Sequence, residues 1–193
     1  MIINIRGTSG SGKTTIAREI MDCYEKGKPQ YVTGRSRPLC YIFERKRESY
    51  VGRPLVVLGS YENVCGGADG ISNRDQLFAI VRYWDGRNCD VLFEGLLYSE
   101  EFARTARLHA DGRKLLVVGL TTTVDVCLER VNNRRRERKP DAEDVNPDNT
   151  TRRVGVIARA IERLEEVGVR AVCTDATQAA LLIKKELGLA LPE

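Results

Sequence analysis

The segment of the sequence with the clearest chemical meaning is a glycine-rich stretch near its beginning. Residues 7–14 read Gly-Thr-Ser-Gly-Ser-Gly-Lys-Thr, which matches the pattern G-x-x-x-x-G-K-[ST] of phosphate-binding loops. In such loops backbone N–H groups point at phosphate oxygens, the lysine contacts the β- and γ-phosphates, and the last hydroxyl holds Mg²⁺. The pattern therefore predicts an ATP–Mg²⁺ site that contains Gly7, Thr8, Ser9, Gly10, Ser11, Gly12, Lys13, Thr14 and Thr15.

The residues on both sides of this stretch fit the strand–loop–helix context that the motif requires. Residues 2–5 are apolar except for one asparagine, and residues 13–26 have a helical pattern. A helix that begins at the loop also directs the positive end of its dipole at a bound phosphate. The flanking residues therefore favour a genuine nucleotide site over a chance match in a Gly/Ser-rich turn.

Phosphoryl transfer also needs a carboxylate for the metal and a group that positions or deprotonates the acceptor. Glu94 follows the apolar residues 91–93, so it is expected at the carboxyl end of a core strand, beside the phosphate loop. There it would hold Mg²⁺ together with Thr14. Asp69, in the glycine-rich stretch 62–70, is predicted to bind or deprotonate the acceptor hydroxyl. Ordinary turn chemistry explains Asp69 equally well.

Positive charge is densest between residues 130 and 139. Arg130 and Arg134 are spaced i, i+4 on a predicted helix and are expected to contact phosphate. They belong to a predicted arginine-rich lid, about residues 130–148, that would close over the nucleotide and exclude water. Arg135, Arg136 and Arg138 are the residues expected to bind DNA phosphates, although such charge runs often form a solvated face.

The composition sets broad limits on the protein. The chain has 193 residues, 42% of them hydrophobic and 30% charged, with a net charge of +4, which suits one domain with a full core. The six cysteines are scattered and there is one histidine, so no zinc pattern is present and buried thiols are expected. The first strand leaves no room for a signal peptide, and no apolar run reaches the length of a membrane span. A cytoplasmic location is therefore expected.

The alternation of elements predicts an α/β fold with a parallel β-sheet covered by helices on both faces. We expect core strands at residues 2–5, 91–93, 115–120 and 170–173, and helices at 13–26, 73–84, 100–108, 124–136, 149–167 and 176–187. Ser72 and Asp175 are expected to begin helices. Residues 39–43 and 55–58, around the charged connection 44–48, predict a hairpin within an insertion at about 29–70. Residues 1–193 are interpreted as a single domain.

Several segments together resemble a known family. They are residues 3–14, 61–69, 92–95, 120–122 and 146–152, of which the Cys-Gly-Gly-x-Asp loop and the Asn-Pro-x-Asn-Thr-Thr run are distinctive. The chain resembles small P-loop kinases of the nucleoside and nucleotide kinase group and, more narrowly, bacteriophage 5-hydroxymethyluracil DNA kinases. The resemblance implies transfer of phosphate from ATP to the 5-hydroxymethyl group of the modified base in phage DNA, within the host cytoplasm. The base would have to leave the stack, and Tyr61, Tyr83 and Trp84 are candidates to support it.

Two other functions fit the same residues. A kinase for a free nucleoside, a nucleotide or another small metabolite would use the same phosphate loop and Glu94, but it would need no extended basic surface. An ATP-dependent switch without an acceptor would show slow ATP hydrolysis and ATP-dependent partner binding. The short chain and the predicted lid favour a kinase over a switch.

Overall fold

The computed structural model describes residues 1–46 and 52–190. Within these residues, seven strands form one sheet in the order β2-β3-β4-β5-β1-β6-β7. The strands are β1 (Ile2–Arg6), β2 (Lys28–Gln30), β3 (Cys40–Phe43), β4 (Leu55–Leu58), β5 (Asp90–Glu94), β6 (Leu115–Leu120) and β7 (Ala171–Thr174). Strands β4, β5, β1, β6 and β7 run parallel, whereas β2, β3 and β4 pair antiparallel. The carboxyl ends of β1 and β5 are therefore neighbours.

Helices connect these strands. They are α1 (Lys13–Met21), α2 (Arg74–Asp85), the short α3 (Leu96–Ser99), α4 (Ala103–Ala110), α5 (Val124–Arg138), α6 (Pro147–Glu166) and α7 (Ala176–Glu186). A 3-10 turn spans Ala68–Gly70. In the described part of the chain, every helix is too short or too polar to span a bilayer.

The sheet separates two apolar clusters. Side chains of successive residues in β1 point to opposite faces, so Ile2 packs with one cluster and Ile3 with the other. Strands β1 and β5 are buried along their whole length. Such central strands provide a rigid support for the residues that follow their carboxyl ends.

The structure confirms the predicted α/β class and corrects several details. The hairpin at 39–43 and 55–58 exists, with Cys40 opposite Leu58, but β4 also pairs with β5 and therefore extends the main sheet. Residues 47 and 48 of its charged connection lie outside the described residues. Asp175 caps α7 as predicted, whereas α2 is capped by Asn73, not Ser72. Cys65 and Cys173 are exposed, unlike the buried thiols that we expected.

Candidate active site

The phosphate loop connects β1 to α1 at the centre of the sheet. Gly10 and Gly12 have φ angles of 83° and 103°, in the left-handed region that glycine adopts without strain. A Cβ atom on Gly10 would also collide with the backbone carbonyl of Cys127. Helix α1 begins at Lys13, so its first N–H groups lie at the loop. The backbone thus has the form that phosphate binding requires.

Lys13 lies within the loop itself. Its Nζ donates hydrogen bonds to the carbonyl oxygens of Gly7 and Thr8, both at 2.9 Å. The residue is 8% exposed, and burial lowers the pKa of its ammonium group while the nearby carboxylates of Glu94 and Asp69 raise it. The positive charge is therefore held in a dry site beside two acidic side chains.

Glu94 ends β5 directly beside the loop, opposite Ile5 of β1. The Thr14 hydroxyl donates a hydrogen bond to Glu94 Oε1 at 2.7 Å. Glu94 is 1% exposed, and this burial raises the pKa of its carboxyl group to about 7, against the opposing effect of Lys13. The structure thus brings together the two residues predicted to hold the metal.

Asp69 lies across the cleft, in the 3-10 turn. Its two carboxylate oxygens accept hydrogen bonds from the backbone N–H groups of Leu96 and Leu97, each at 2.9 Å. These N–H groups begin the short helix α3, so Asp69 fixes the chain that leaves Glu94. Asp69 also lines the same cleft as Lys13 and Glu94. It therefore has a structural role, and its predicted role toward the acceptor hydroxyl stays a prediction.

Three arginines on α5 follow the cleft at intervals of four residues. Arg130 Nη1 donates to the carbonyl oxygen of Gly10 at 3.2 Å, and Arg134 lines the cleft. Arg138 Nη2 donates to Cys65 Sγ at 3.5 Å. Of the predicted group of Arg135, Arg136 and Arg138, Arg136 forms an exposed ion pair with Asp144 in the connection between α5 and α6, and the role of the group in binding DNA stays a prediction.

The cleft has a volume of about 540 Å³. Most of the predicted site residues line it, namely Ser9, Gly10, Gly12, Lys13, Thr14, Thr15, Asp69, Glu94, Arg130 and Arg134. Gly7, Thr8 and Ser11 instead line an apolar cavity of about 170 Å³ between the loop and α6. The cleft is completed by residues that we did not predict: Arg18, Val64, Cys65, Gly66, Leu96 and Ala176.

Two arginines support the site although we did not predict a role for them from the sequence. Arg18 on α1 donates to the carbonyl oxygens of Tyr61, Asn63 and Val64, and so holds the glycine-rich loop against α1. Its spacing of four residues from Thr14 was the available signal.

The second, Arg6, ends β1 and is fully buried. It donates to Asn4 Oδ1 at 2.6 Å, Glu101 O at 2.6 Å, Thr105 Oγ1 at 2.8 Å and Ser99 O at 3.2 Å. An arginine at the end of a buried strand, directly before the phosphate loop, was the signal here.

The aromatic residues proposed to support a base do not line the cleft. Tyr61 is 8% exposed and packs edge-to-face on Tyr41. Tyr83 and Trp84 pack against each other on α2, and Arg87 covers the Tyr83 ring. A role of these residues in supporting a base stays a prediction.

The chain was compared with known proteins. No protein-family model matches it. Over 186 residues it is 39% identical to the "5-hmdU DNA kinase" of Pseudomonas phage PaMx11, with 96% of each chain covered. The chain belongs to the 5-hmdU DNA kinase family. It is therefore a phosphotransferase, as predicted. A "5-hmdU DNA kinase" of Bacillus phage SP10 is 21% identical over 176 residues, which make up 88% of this chain but only 26% of that longer protein.

One solved structure supports the fold of this member of the 5-hmdU DNA kinase family. The tunicamycin resistance protein of Deinococcus radiodurans aligns with a TM-score of 0.51 at 16% identity, covering 100% of this chain and 98% of that one. A deoxyadenosine kinase from M. mycoides aligns with a TM-score of 0.48 at 14% identity, covering 97% and 99% of the two chains. The first of these shows the fold alone.

Proposed function

We propose that this chain transfers the γ-phosphate of ATP to the 5-hydroxymethyl group of 5-hydroxymethyldeoxyuridine in DNA. The observation that carries the proposal is the meeting of Thr14 and Glu94 at 2.7 Å, which joins the phosphate loop to the part of the cleft that contains Asp69. The 39% identity to a phage 5-hmdU DNA kinase supports this acceptor. In this role the chain acts in the cytoplasm of an infected bacterial cell.

The phosphate loop binds the β- and γ-phosphates of ATP in this proposal. Lys13 Nζ is held by two neutral carbonyl oxygens, and anionic phosphate oxygens are stronger acceptors for an ammonium group. Arg130 and Arg134 border the same cleft, where they would stabilise the negative charge on the transferred group. Closure of α5 over the cleft would exclude water as an unwanted acceptor.

The residues at the Thr14–Glu94 contact fit a magnesium ion. Mg²⁺ prefers oxygen ligands and usually takes only one or two carboxylates from the protein, while phosphate oxygens and water supply the others. The Thr14 hydroxyl and the Glu94 carboxylate are such ligands, and the described residues contain no larger acidic cluster. A bound Mg²⁺ would neutralise charge on the phosphates.

Asp69 positions the acceptor hydroxyl in the proposed reaction. Two backbone N–H groups hold its carboxylate in place, so its remaining lone pairs can accept a hydrogen bond from the substrate at little cost in side-chain entropy. The carboxylate would orient the hydroxyl oxygen toward the γ-phosphate and accept its proton as the new bond forms.

A labelling experiment tests the function. The protein is incubated with γ-labelled ATP and matched oligonucleotides that contain 5-hydroxymethyluracil or thymine at one position, and in parallel with free 5-hydroxymethyldeoxyuridine and its monophosphate. We expect label in the hydroxymethyluracil oligonucleotide and little in the other samples. Efficient labelling of the free nucleotide without labelling of DNA would contradict the proposal and favour a metabolite kinase. ATP hydrolysis without any labelled acceptor would favour a switch.

A further inference from the structure

The loop that borders the cleft and the β2–β3 connection, which is hydrogen-bonded to that loop, expose apolar and aromatic side chains. Tyr31 is 56% exposed, Val32 45% and Val64 63%. Val64 lines the cleft itself, while Tyr31 and Val32 begin the connection between β2 and β3. We call the surface formed by Tyr31, Val64, Cys65 and Arg138 the acceptor rim. Exposed apolar side chains that cluster at the mouth of a site indicate a contact surface for a partner.

Hydrogen bonds connect the parts of this rim. The Tyr31 hydroxyl donates to Glu62 Oε1 at 3.4 Å, and Arg35 Nη2 donates to the carbonyl oxygen of Gly70 at 3.1 Å. The β2–β3 connection is thus attached near both ends of the loop that contains Asp69. Tyr31 therefore belongs to the Asp69 side of the cleft, whereas Arg130 contacts the phosphate loop.

Arg138 approaches the same loop from the lid. Its contact within the rim is with the Cys65 thiol, at 3.5 Å, and a thiol sulfur is only a weak acceptor. Arg138 would form a stronger hydrogen bond with an anionic oxygen than with this thiol, because charge-assisted hydrogen bonds are roughly twice as strong as neutral ones. Arg35 and the exposed Arg37 add positive charge to the neighbouring connection, while Glu62 and Asp69 are the two carboxylates of the loop.

We propose that the acceptor rim is the docking surface for the DNA strand that carries the acceptor base. Arg138 binds a backbone phosphate beside the acceptor nucleotide, and Tyr31 stacks on a neighbouring base. This inference rests on the proposed function. Proteins bind single strands through aromatic platforms combined with basic side chains, and a base that has left the duplex exposes the faces of its neighbours. A free nucleoside is too small to need Tyr31 and Arg138.

The test measures DNA binding separately from chemistry. Binding of a fluorescent single-stranded oligonucleotide with one 5-hydroxymethyluracil is followed by anisotropy with a non-hydrolysable ATP analogue present. We expect Tyr31→Ala to weaken binding about fivefold to a hundredfold and Tyr31→Phe to retain it, because the stacking face is kept. Arg138→Ala should weaken binding and reduce the slope of log K against log salt by about one. The KM for ATP should stay at the wild-type value in both variants.

A tyrosine and an arginine elsewhere on the protein surface provide matched controls. Tyr83 is 50% exposed on α2, and Arg107 forms an ion pair on α4. Tyr83→Ala and Arg107→Ala should bind the oligonucleotide as the wild-type protein does. Circular dichroism melts of all variants establish that each is folded.

The outcomes separate this inference from the proposed function. If the wild-type protein leaves hydroxymethyluracil DNA unlabelled, the function itself is wrong. If it labels that DNA while Tyr31→Ala and Arg138→Ala bind and react normally, the function stands and the rim is wrong. An equal loss in the rim variants and the controls would also overturn the inference, because the effect would then be unrelated to the rim.

Discussion

Thr14 at the start of α1 and Glu94 at the end of β5 share a hydrogen bond of 2.7 Å, although 80 residues separate them in the chain. The contact joins the phosphate loop to the neighbouring strand of the sheet. Because Glu94 is buried, removal from water rather than the hydrogen bond dominates its acidity.

Glu94→Gln should stabilise the metal-free protein at alkaline pH. Burial raises the pKa of Glu94 from 4.5 to about 7, so the folded state binds this proton more tightly than the unfolded state. The contribution of Glu94 to stability is therefore fully present below pH 4.5 and is lost as the pH rises through about 7. Urea unfolding in EDTA at pH 5 and pH 8 should show the variant gaining up to about 3 kcal/mol relative to wild type at the higher pH. The exposed Glu62→Gln variant should show no such gain, and a pH-independent difference for Glu94→Gln would contradict the argument.

Lys13→Ala should abolish phosphoryl transfer without unfolding the protein. The ammonium group is the cation inside the phosphate loop, and it would neutralise charge shared between the β- and γ-phosphates as their bond breaks. The label-transfer assay should lose at least a hundredfold in rate, on the order expected when a transition-state charge contact is removed. A folded variant that retains a tenth of the wild-type rate would rule out this role.

The sequence was sufficient for the parts of the site that depend on local spacing. The phosphate loop is a contiguous motif, and Glu94 follows an apolar run that is typical of a buried strand. Both predictions need nothing beyond the periodicity of one element and the rule that parallel strands present their carboxyl ends at one edge.

Other contacts depend on the packing of distant segments. Asp69 meets the N–H groups of Leu96 and Leu97 across 27 and 28 residues, and Arg138 meets Cys65 across 73 residues. Contacts between segments this far apart in the chain leave no local pattern in the sequence. Tyr31 lies in an irregular connection whose position depends on the pairing of β2 with β3, so its exposure beside the cleft could not be read from its neighbours in sequence.

Asp69→Asn should slow the chemical step more than it weakens the fold. The amide offers one acceptor oxygen in place of two, so the contact with either Leu96 or Leu97 is lost, at a cost of about 1–2 kcal/mol in the free energy of unfolding. The negative charge that would receive the acceptor proton is lost as well. We expect kcat to fall at least about tenfold, with DNA affinity within about twofold of wild type. Loss of stability with an unchanged kcat would leave Asp69 with only its structural role.

Gly67→Ala should reduce stability and kcat by more than the unfavourable φ angle of an alanine at this position alone explains. Gly67 has a φ of 113°, and a Cβ atom there would lie 2.7 Å from Glu94 Oε1. Gly112 provides the control, because its φ is 73° and its Cβ would meet nothing within 4 Å. Gly112→Ala should cost about 1 kcal/mol of stability with normal activity. Gly67→Ala should cost more and reduce kcat, and equal effects of the two substitutions on stability and rate would refute steric displacement of Glu94.

Arg6→Met should destabilise the protein strongly. The buried guanidinium satisfies Asn4 Oδ1, the carbonyl oxygens of Ser99 and Glu101, and Thr105 Oγ1, and burial lowers its pKa to about 10. Removing it leaves these acceptors unpaired in a dry environment, so chemical denaturation should show a loss of about 3 kcal/mol or more. Arg6→Lys should recover only part of this loss, because a lysine ammonium group cannot reach all the acceptors that the planar guanidinium group of arginine contacts. Wild-type stability of Arg6→Met would show that the network is not needed.

The position of Arg6 has a consequence for how this kinase can change its acceptor. Arg6 ties the strand before the phosphate loop to the segment that follows α3, so the floor of the cleft forms as part of the folding core and not as a separate module. Substitutions in this floor of the cleft therefore lower the stability of the whole protein. The proposed acceptor rim consists instead of exposed side chains that contribute little to the core. Substitutions in the rim can therefore change the contacts that we propose for the acceptor at little cost in stability, while the residues around the phosphate loop stay unchanged.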